Sequence, residues 1–305
     1  MRIYFAPLQG YTDDAYRRVH KDVCGGVDVY VTPFIRLING ELRPKDKRDI
    51  RKEFNEGVTV LPQIMASSRE EMAKLVDGVL AEGYTHVNLN MGCPFPLQTR
   101  HGHGAGILPH PEMVEEVCRT MEEYADVAFS VKMRLGLEEK DEWRQILPIL
   151  NGAKLEHVTV HPRIGSQQYK GELFMEEFDA CINECKHPVI YNGDVLSVED
   201  IERIATEYPQ IEGIMIGRGL LSRPTLAKEY VSGKRLDERA VVSQLRTLHD
   251  RLYHHYESIV PGEDALLNKV RTFWDYAEPT IGRKAWKKIK KAGNLKNYLA
   301  STASV

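Results

Sequence analysis

The chain alternates between short runs of β-branched and other apolar residues and longer segments with helical spacing of apolar residues. Eight such β-rich runs lie within the first 217 residues, and their starting points advance by 25 to 42 residues. This advance is close to the roughly 30 residues of a strand, a helix and their connections. The runs occupy residues 2–7, 27–33, 58–64, 86–91, 128–133, 157–161, 188–192 and 213–217.

Helical patterns lie between several of these runs. Ser68 and Glu71 have the spacing of a capping box, apolar residues then recur at helical intervals from residue 72 to 80, and Gly83 ends the pattern. We therefore predict a helix in this segment, and similar patterns begin at Pro111 and Ser197. The connection at residues 39–57 is highly charged and predicts no clear element.

Eight β runs that alternate with helices predict an α/β fold, the (β/α)8 TIM barrel, because parallel strands require crossover helices and eight strands close into a packed barrel. An open doubly wound sheet is the alternative. After Tyr230 the pattern changes: Gly233 and Lys234 indicate a linker, and no β run follows Asp237. We predict a catalytic barrel domain at residues 1–235 and a small all-helical domain at residues 236–305.

Composition is that of an ordinary globular protein, but the charge is unevenly distributed. The formal net charge of −3 argues against a protein that coats nucleic acid through its overall charge. Residues 265–305 contain nine Lys and Arg against two acids, a net of +7, and the other residues contain 32 against 42, a net of −10. The C-terminal segment is therefore a distinct basic region.

The five cysteines are odd in number and form no CxxC pair, which indicates free thiols and a reducing compartment. The N-terminus lacks the apolar stretch of a signal peptide, and no apolar run approaches about 18 residues. We expect a cytoplasmic, soluble protein that acts as a monomer and does not contact a membrane. His101 and His103 supply only two local ligands, so we expect no metal site.

Polar and special residues are concentrated where the predicted strands end, which is where TIM barrels carry their chemistry. Gly193, Gly217 and Gly219, with Arg218 beside them, would free backbone N–H groups for a phosphate, although each glycine alone also fits a tight turn. Lys132 and His161 follow neighbouring strands, and their positive charges would stabilise an anionic reduced flavin.

Cys93 is the best candidate for reactive chemistry. It follows the fourth β run directly, and Gly92 and Pro94 constrain its backbone. A thiol of ordinary pKa, about 8.5, is mostly protonated at neutral pH, so it serves as a proton donor as readily as a nucleophile. The alternative is a buried structural thiol, the interpretation we favour for the other four cysteines.

Six motifs, in this order along the chain, resemble the tRNA-dihydrouridine synthases, a family of flavin-dependent reductases of uridine. The resemblance covers essentially the whole chain. The motifs are Ala-Pro-Leu-Gln-Gly-Tyr-Thr-Asp at 6–13, Asn-Leu-Asn-Met-Gly-Cys-Pro at 88–94, Val-Lys-Met-Arg-Leu-Gly at 131–136, Val-His-Pro-Arg at 160–163, Asn-Gly-Asp at 192–194 and Met-Ile-Gly-Arg-Gly at 215–219.

This resemblance implies a cofactor, a catalytic residue and a substrate. NADPH would reduce FMN, the flavin N5 hydride would add to C6 of a uracil ring, and Cys93 would supply the proton to C5. The uridine would be an exposed or flipped D-loop base of tRNA, with position 16 favoured by the overall resemblance. The implied FMN ligands are Pro7, Gln63, Lys132, His161, Asn192, Asp194, Gly217 and Arg218. The implied RNA-binding residues are Arg36, Asn39, Asn90, Arg134, Arg163, Lys269 and Arg271.

The chain departs from the family pattern at two places. Pro33 lies where many members have an acidic residue, and Phe95-Pro96-Leu97 follows the Cys-Pro pair where a lysine is common. Two other functions remain open: an FMN barrel oxidoreductase for a small molecule, of the dihydroorotate dehydrogenase type, and a non-catalytic RNA-binding or chaperone protein. The former gives no reason for a basic helical tail, although a basic helix alone also fits a solvated face.

Overall fold

The protein, described here by a computed structural model of all 305 residues, contains a parallel sheet whose strands coincide with the eight predicted β runs. We number these barrel strands from one to eight along the chain. They span Arg2–Phe5, Val29–Val31, Val60–Leu61 with Gln63–Ile64, His86–Met91, Ala128–Gly136, Leu155–Ile164, Val189–Tyr191 and Gly213–Ile216. All neighbouring pairs are parallel, and the first strand also pairs with the eighth.

The third barrel strand is divided at Pro62, and its two halves close the sheet by pairing with different neighbours. Its first half pairs with the second strand, where Tyr30 lies opposite Val60, and its second half pairs with the fourth strand, where Gln63 lies opposite Asn88. Proline has no N–H for the ladder, but the Pro62 carbonyl still accepts a 2.9 Å hydrogen bond from the Asn88 backbone. The sheet therefore has no edge. The predicted TIM barrel is confirmed, and the open-sheet alternative is wrong.

Helices follow the strands as the sequence predicts. The predicted helix after Ser68 spans Arg69–Ala81, and the Ser68 hydroxyl accepts from the Glu71 backbone at 3.3 Å. The capping box is incomplete, because the Glu71 carboxylate binds Ser67 and His103 instead of the Ser68 backbone. The helices of this half are Asp14–Val23, Pro44–Ile50, Arg69–Ala81, Pro96–Thr99, Pro111–Glu122, Trp143–Gly152, Met175–Glu184, Val198–Glu207, Arg218–Ser222 and Leu226–Ser232.

The charged connection after the second strand folds into a hairpin, Leu37–Ile38 with Glu41–Leu42, and then into the helix Pro44–Ile50 and a 3-10 turn, Lys52–Asn55. Its apolar side chains pack against the outside of the barrel. Leu42 lies against the helix Arg69–Ala81, where a side chain at Gly78 would approach it to 2.5 Å. Packing against the barrel, rather than local periodicity, thus organises this segment.

The C-terminal segment is helical, as predicted. Its helices are Glu238–Ile259, Glu263–Arg271, Glu278–Ile281, Arg283–Lys290 and Leu295–Thr302. The core of this segment contains Leu245, Trp274 and Tyr298, which belong to one continuous cluster of buried apolar side chains with the barrel. The predicted boundary at 235/236 falls between the helices Leu226–Ser232 and Glu238–Ile259, and we retain it as a proposal. None of the helices combines the length and apolar character that a membrane crossing requires.

Candidate active site at the barrel mouth

Seven of the eight barrel strands, or the loops that follow them, line a cleft at the carboxyl end of the barrel. Parallel strands bring their carboxyl ends to one face, so residues far apart in sequence converge there. Ten of the predicted site residues line this cleft: Pro7, Asn90, Cys93, Lys132, Arg134, His161, Asn192, Asp194, Gly217 and Arg218.

The backbone of Cys93 is anchored on both sides. The Asn90 Oδ1 atom accepts from the Cys93 N–H at 2.9 Å, and the Cys93 carbonyl accepts from the Ala105 N–H at 3.0 Å. Gly104 approaches so closely that a Cβ there would lie 2.6 Å from the Cys93 carbonyl oxygen. The position of the thiol is therefore fixed by its surroundings.

Burial raises the pKa of the Cys93 thiol, although the Phe95 N–H and the charges of Arg134 and Lys132 act in the opposite direction. The side chain is half-buried and lines the cleft. A thiol in this environment stays protonated at neutral pH. Cys93 is therefore suited to donate a proton, and the same cations would stabilise the thiolate that remains.

Burial shifts the pKa values of Lys132 and His161 downward, whereas it raises the pKa of Cys93. The half-buried Lys132 ammonium has no hydrogen-bond or ion-pair partner within the protein, and burial together with the charge of Arg134 lowers its pKa to about 7. Burial also lowers the pKa of His161 well below its usual range, so the imidazole is neutral at pH 7. The positive charge that the sequence predicts for His161 is therefore wrong. Lys132 is therefore a cation whose charge an anionic ligand would stabilise.

The loops after the seventh and eighth strands expose backbone donors to the cleft. The N–H groups of Gly193, Gly217 and Gly219 donate to no protein atom. Asn192 is held in place because its side chain donates to the Met215 carbonyl at 2.7 Å. Free N–H groups beside the Arg218 guanidinium form a concave anion site.

Asp194 holds two arginines together at this end of the cleft. Its carboxylate accepts from Arg163 and, at 2.7 Å, from Arg218 Nη2. The hydrogen bond from Arg163 is the main cause that lowers the pKa of Asp194. The ionised Asp194 carboxylate orients the Arg218 guanidinium. Asp194 therefore supports the anion site through Arg218.

Gln63 lies below the cleft rather than in its wall. The side chain is fully buried, its Oε1 accepts from Asn90 Nδ2 at 2.7 Å, and its Nε2 donates to Asn88 at 2.8 Å. The second Nε2 hydrogen has no partner within the protein. The predicted contact between Gln63 and a cofactor stays a prediction.

Four of the seven predicted RNA-binding residues fall into two groups. Asn39 is exposed at the hairpin tip, and the half-buried Arg36 has a buried Nε atom without a partner. Arg134 and Arg163 are buried, and their guanidinium groups bind backbone carbonyls. Buried guanidinium groups with these partners hold loops together, and their contact with RNA stays a prediction.

Lys269 and Arg271 also have partners within the protein. Lys269 forms an ion pair with Asp13 at 2.7 Å, and Arg271 donates to Ala292 O at 3.3 Å and Asn268 Oδ1 at 2.9 Å. Both lie in the helix Glu263–Arg271, whose buried apolar side chains belong to the core that is continuous with the barrel. Their predicted RNA contacts are untested.

Tyr169 is a cleft residue that the sequence analysis does not predict. Its ring is 47% exposed, and the guanidinium carbons of Arg218 and Arg134 lie 5.1 Å and 5.5 Å from its centre. Such cation–π contacts hold an aromatic face at the rim. The signal in the sequence was weak: a tyrosine between Gly165 and Gly171 in the loop after the sixth strand.

A closed parallel barrel whose carboxyl end carries a protonated thiol, an unpaired cation and free backbone donors is the architecture of a (β/α)8-barrel enzyme with a site for an anionic ligand. The family model for "Dihydrouridine synthase (Dus)" matches residues 4–303. The chain belongs to the dihydrouridine synthase family, and it is a flavin-dependent oxidoreductase.

Curated relatives support this assignment. A tRNA-dihydrouridine(16) synthase of Neisseria meningitidis is 30% identical over 245 residues, 76% of this chain and 72% of its own length. A protein of the same description from Pseudomonas putida is 29% identical, with 77% and 74% covered. A tRNA-dihydrouridine synthase B of Pasteurella multocida is 27% identical, with 74% and 67% covered.

Among solved structures, histamine dehydrogenase from Rhizobium sp. 4-9 has a TM-score of 0.58 to this chain at 12% identity. The similarity covers 82% of this chain and 49% of the dehydrogenase, so the chain spans about half the length of that protein. At this identity the likeness concerns the fold, and it agrees with the barrel described above.

The cleft fits a flavin that carries a phosphate. The free N–H groups of Gly193, Gly217 and Gly219 with Arg218 supply an anion site at one end. Lys132 supplies an unpaired cation in the same cleft, of the sign that an anionic reduced flavin ring would require. The donor set therefore matches the two charged parts of such a cofactor.

Proposed function

We propose that the protein reduces a uridine of tRNA to 5,6-dihydrouridine with FMN as cofactor and NADPH as reductant. The observation that carries this proposal is the juxtaposition of a protonated Cys93 thiol with the unpaired cation Lys132 in one cleft, in a member of the dihydrouridine synthase family. We further propose that the protein acts in the cytoplasm as a monomer, and its free thiols favour a reducing compartment.

FMN would be held by residues of the seventh and eighth loops at its phosphate and by Lys132 and His161 at its ring. Pro7 lines the cleft beside the eighth loop, and Asn192 is oriented by its bond to Met215. Gln63 would offer its one free N–H from below. When bound, the flavin supplies the hydride that adds to C6 of the uracil ring.

Cys93 completes the reduction because hydride addition at C6 leaves an electron pair that a proton at C5 must neutralise. Burial raises the pKa of Cys93, so the sulfur carries its proton at neutral pH before the reaction. The thiolate that forms lies near the positive charges of Arg134 and Lys132. One hydride and one proton added across the C5–C6 bond give dihydrouracil.

The rim beside Cys93 is apolar and exposed. Phe95 is 55% exposed and Leu97 is 62% exposed, and both belong to the rigid turn that begins the helix Pro96–Thr99. A stacked uridine must leave its neighbours to enter a barrel mouth, and apolar side chains can replace the stacking it gives up. We propose that Phe95 and Leu97 contact the bases next to the target uridine.

The body of the tRNA would lie against the C-terminal helices. Exposed lysines of the helix Arg283–Lys290 and the residues that follow it have no acidic partner: Lys284, Lys287, Lys288, Lys291 and Lys296. Free lysines of this kind bind phosphates. Position 16 is the target we propose, because two of the three relatives described above carry that number in their names.

The experiment is a turnover assay with purified protein loaded with FMN. Unmodified tRNA transcripts and NADPH should yield dihydrouridine at one position, which mass spectrometry of nuclease fragments locates. Dihydroorotate and its oxidation product, orotate, serve as competing small-molecule substrates. Turnover of these compounds without turnover of tRNA would favour a small-molecule dehydrogenase, and failure to retain FMN after reconstitution would favour a non-catalytic RNA-binding protein.

A further inference from the structure

The interior of the barrel below the cleft has an apolar side and a polar side. Apolar side chains of the first, second, seventh and eighth strands fill one side, among them Tyr4, Val31 and Ile190. On the other side three fully buried polar residues lie in register on adjacent strands: Gln63 opposite Asn88, and Asn88 opposite Ser130. Buried polar side chains need hydrogen-bond partners, so the partners of these three residues decide their orientation.

Hydrogen bonds join these residues into one chain that ends at Cys93. Asn88 Nδ2 donates to Ser130 Oγ at 2.8 Å, and Gln63 Nε2 donates to Asn88 Oδ1 at 2.8 Å. Asn90 Nδ2 donates to Gln63 Oε1 at 2.7 Å. We call Ser130, Asn88, Gln63 and Asn90 the amide relay.

The direction of the amide relay is set at its upper end. Asn90 Oδ1 accepts from the backbone N–H groups of Gly92, at 3.0 Å, and Cys93, at 2.9 Å. A backbone N–H can only donate, so Asn90 must present its oxygen to the loop and its NH2 to Gln63. The same reasoning then fixes the amides of Gln63 and Asn88 in turn, down to the Ser130 hydroxyl.

The position of the Cys93 loop depends in turn on the lower end of the amide relay. If Asn88 or Ser130 loses its polar group, a buried amide lacks a partner and gains by turning toward another one. A turn of Gln63 would present an NH2 group to Asn90 Nδ2, which is a donor as well. Asn90 could then no longer hold both N–H groups of the Cys93 loop in the observed geometry.

We propose that Asn88 and Ser130 are positioning residues for Cys93, acting through Gln63 and Asn90 at a distance from substrate and cofactor. The proposal rests on the proposed function for its kinetic consequence, but the amide relay itself makes a prediction about the thiol. Neither residue lines the cleft, and both are fully buried below it.

The test compares Asn88→Leu, Ser130→Ala and Ser130→Thr with the wild type. Flavin content and the rate at which NADPH reduces the flavin should match the wild type in Ser130→Thr. In Asn88→Leu and Ser130→Ala the turned Gln63 would also withdraw the N–H that the proposed function gives to FMN, so flavin content is measured and all rates are compared per bound flavin. The rate at which the reduced enzyme converts uridine in tRNA should fall about tenfold in Asn88→Leu and less in Ser130→Ala, and Ser130→Thr should restore it because it keeps the hydroxyl.

Thr159→Val is the matched control. Thr159 is also fully buried inside the barrel, but its hydroxyl has no hydrogen-bond partner, and valine has its shape. This variant should retain wild-type rates in both half-reactions. A decrease equal to that of Ser130→Ala would show that any buried hydroxyl matters and would overturn the specific role of the amide relay.

A second readout does not depend on the proposed function. Alkylation of Cys93 by iodoacetamide, followed as a function of pH by mass spectrometry of its peptide, should be at least about threefold faster in Asn88→Leu and Ser130→Ala. Ser130→Thr and Thr159→Val should match the wild type. Identical alkylation rates in all variants would overturn the proposal even if the wild type reduces tRNA, whereas absent tRNA reduction with altered alkylation would overturn only the proposed function.

Discussion

Burial sets the protonation of three side chains at the mouth of the barrel. It raises the pKa of the Cys93 thiol, lowers that of Lys132 to about 7, and lowers that of His161 well below its usual range. The residue types and their place after strands are visible in the sequence, but these protonation states depend on packing that only the folded chain supplies. The sequence thus predicts which residues meet at the barrel mouth, but not which of them carry a proton at neutral pH.

If Lys132 binds FMN as proposed, FMN binding should depend on pH. Below about pH 7 the ammonium is already charged, and above it binding an anion requires the uptake of a proton, so affinity should fall toward tenfold per pH unit between about pH 7 and pH 9. Fluorescence titration of the apoprotein with FMN measures this slope. Lys132→Met should bind more weakly with a nearly flat profile, and the wild-type slope in that variant would assign the titration to another group.

The loop after the first strand connects the barrel to the C-terminal helices. The loop after the first strand carries Asp13, which accepts hydrogen bonds from Lys269 at 2.7 Å and from Tyr256. Burial alone would raise the pKa of Asp13, but the Lys269 ammonium and the hydrogen bonds from Tyr16 and Tyr256 lower it overall. The helical segment is therefore fastened to the loop that supplies Pro7 to the cleft.

Replacing Lys269 by Met should lower the free energy of unfolding by about 1–3 kcal/mol at neutral pH, because Asp13 loses its counter-ion. The lowered pKa of Asp13 means that this stability is present above its ordinary pKa of 3.8 and is lost as pH falls through the folded value. Urea unfolding of both proteins at neutral and acid pH measures the difference. Unchanged stability with weakened tRNA binding would instead support the RNA contact predicted from sequence.

The turn after Cys93 carries the two exposed apolar side chains, Phe95 and Leu97, that we propose to contact bases. Phe95→Ser combined with Leu97→Ser should lower kcat/KM for tRNA about tenfold and leave NADPH oxidation intact, because the exposed side chains touch only the bases in our proposal. Val231→Ser, at a 63% exposed position on a helix whose residues do not line the cleft, is the control. Equal tRNA turnover by the double variant and wild type would refute the base contact.

At the scale of the whole molecule, the eight β runs and the helical C-terminal segment were predictable because periodicity and spacing follow local chain geometry. The division of the third strand at Pro62, the Asp13–Lys269 pair and the amide relay were not, since each depends on partners that folding brings together. Tyr169 was missed for the same reason: only its two arginine neighbours place it at the cleft.

The net charge of −3 combines an acidic barrel with a basic end, and the basic end should govern salt dependence. Lys287→Ala with Lys288→Ala should weaken tRNA binding and reduce the slope of log affinity against log salt by about one for each phosphate that a lysine no longer neutralises. Lys154→Ala, an exposed lysine at the opposite end of the barrel, should not change the slope. An unchanged slope in the double variant would place the tRNA elsewhere.

Dihydrouridine formation in tRNA, as proposed here, requires Cys93 as the proton donor. Total tRNA from a strain that lacks this gene, complemented with either wild type or Cys93→Ala, can be mapped for dihydrouridine by mass spectrometry. We expect one position to lose dihydrouridine in the deletion strain, to regain it with the wild type, and to remain deficient with Cys93→Ala even though that protein binds flavin and oxidises NADPH. Full dihydrouridine at every position in the deletion strain, without a second enzyme of the same specificity, or complete restoration by Cys93→Ala, would contradict it.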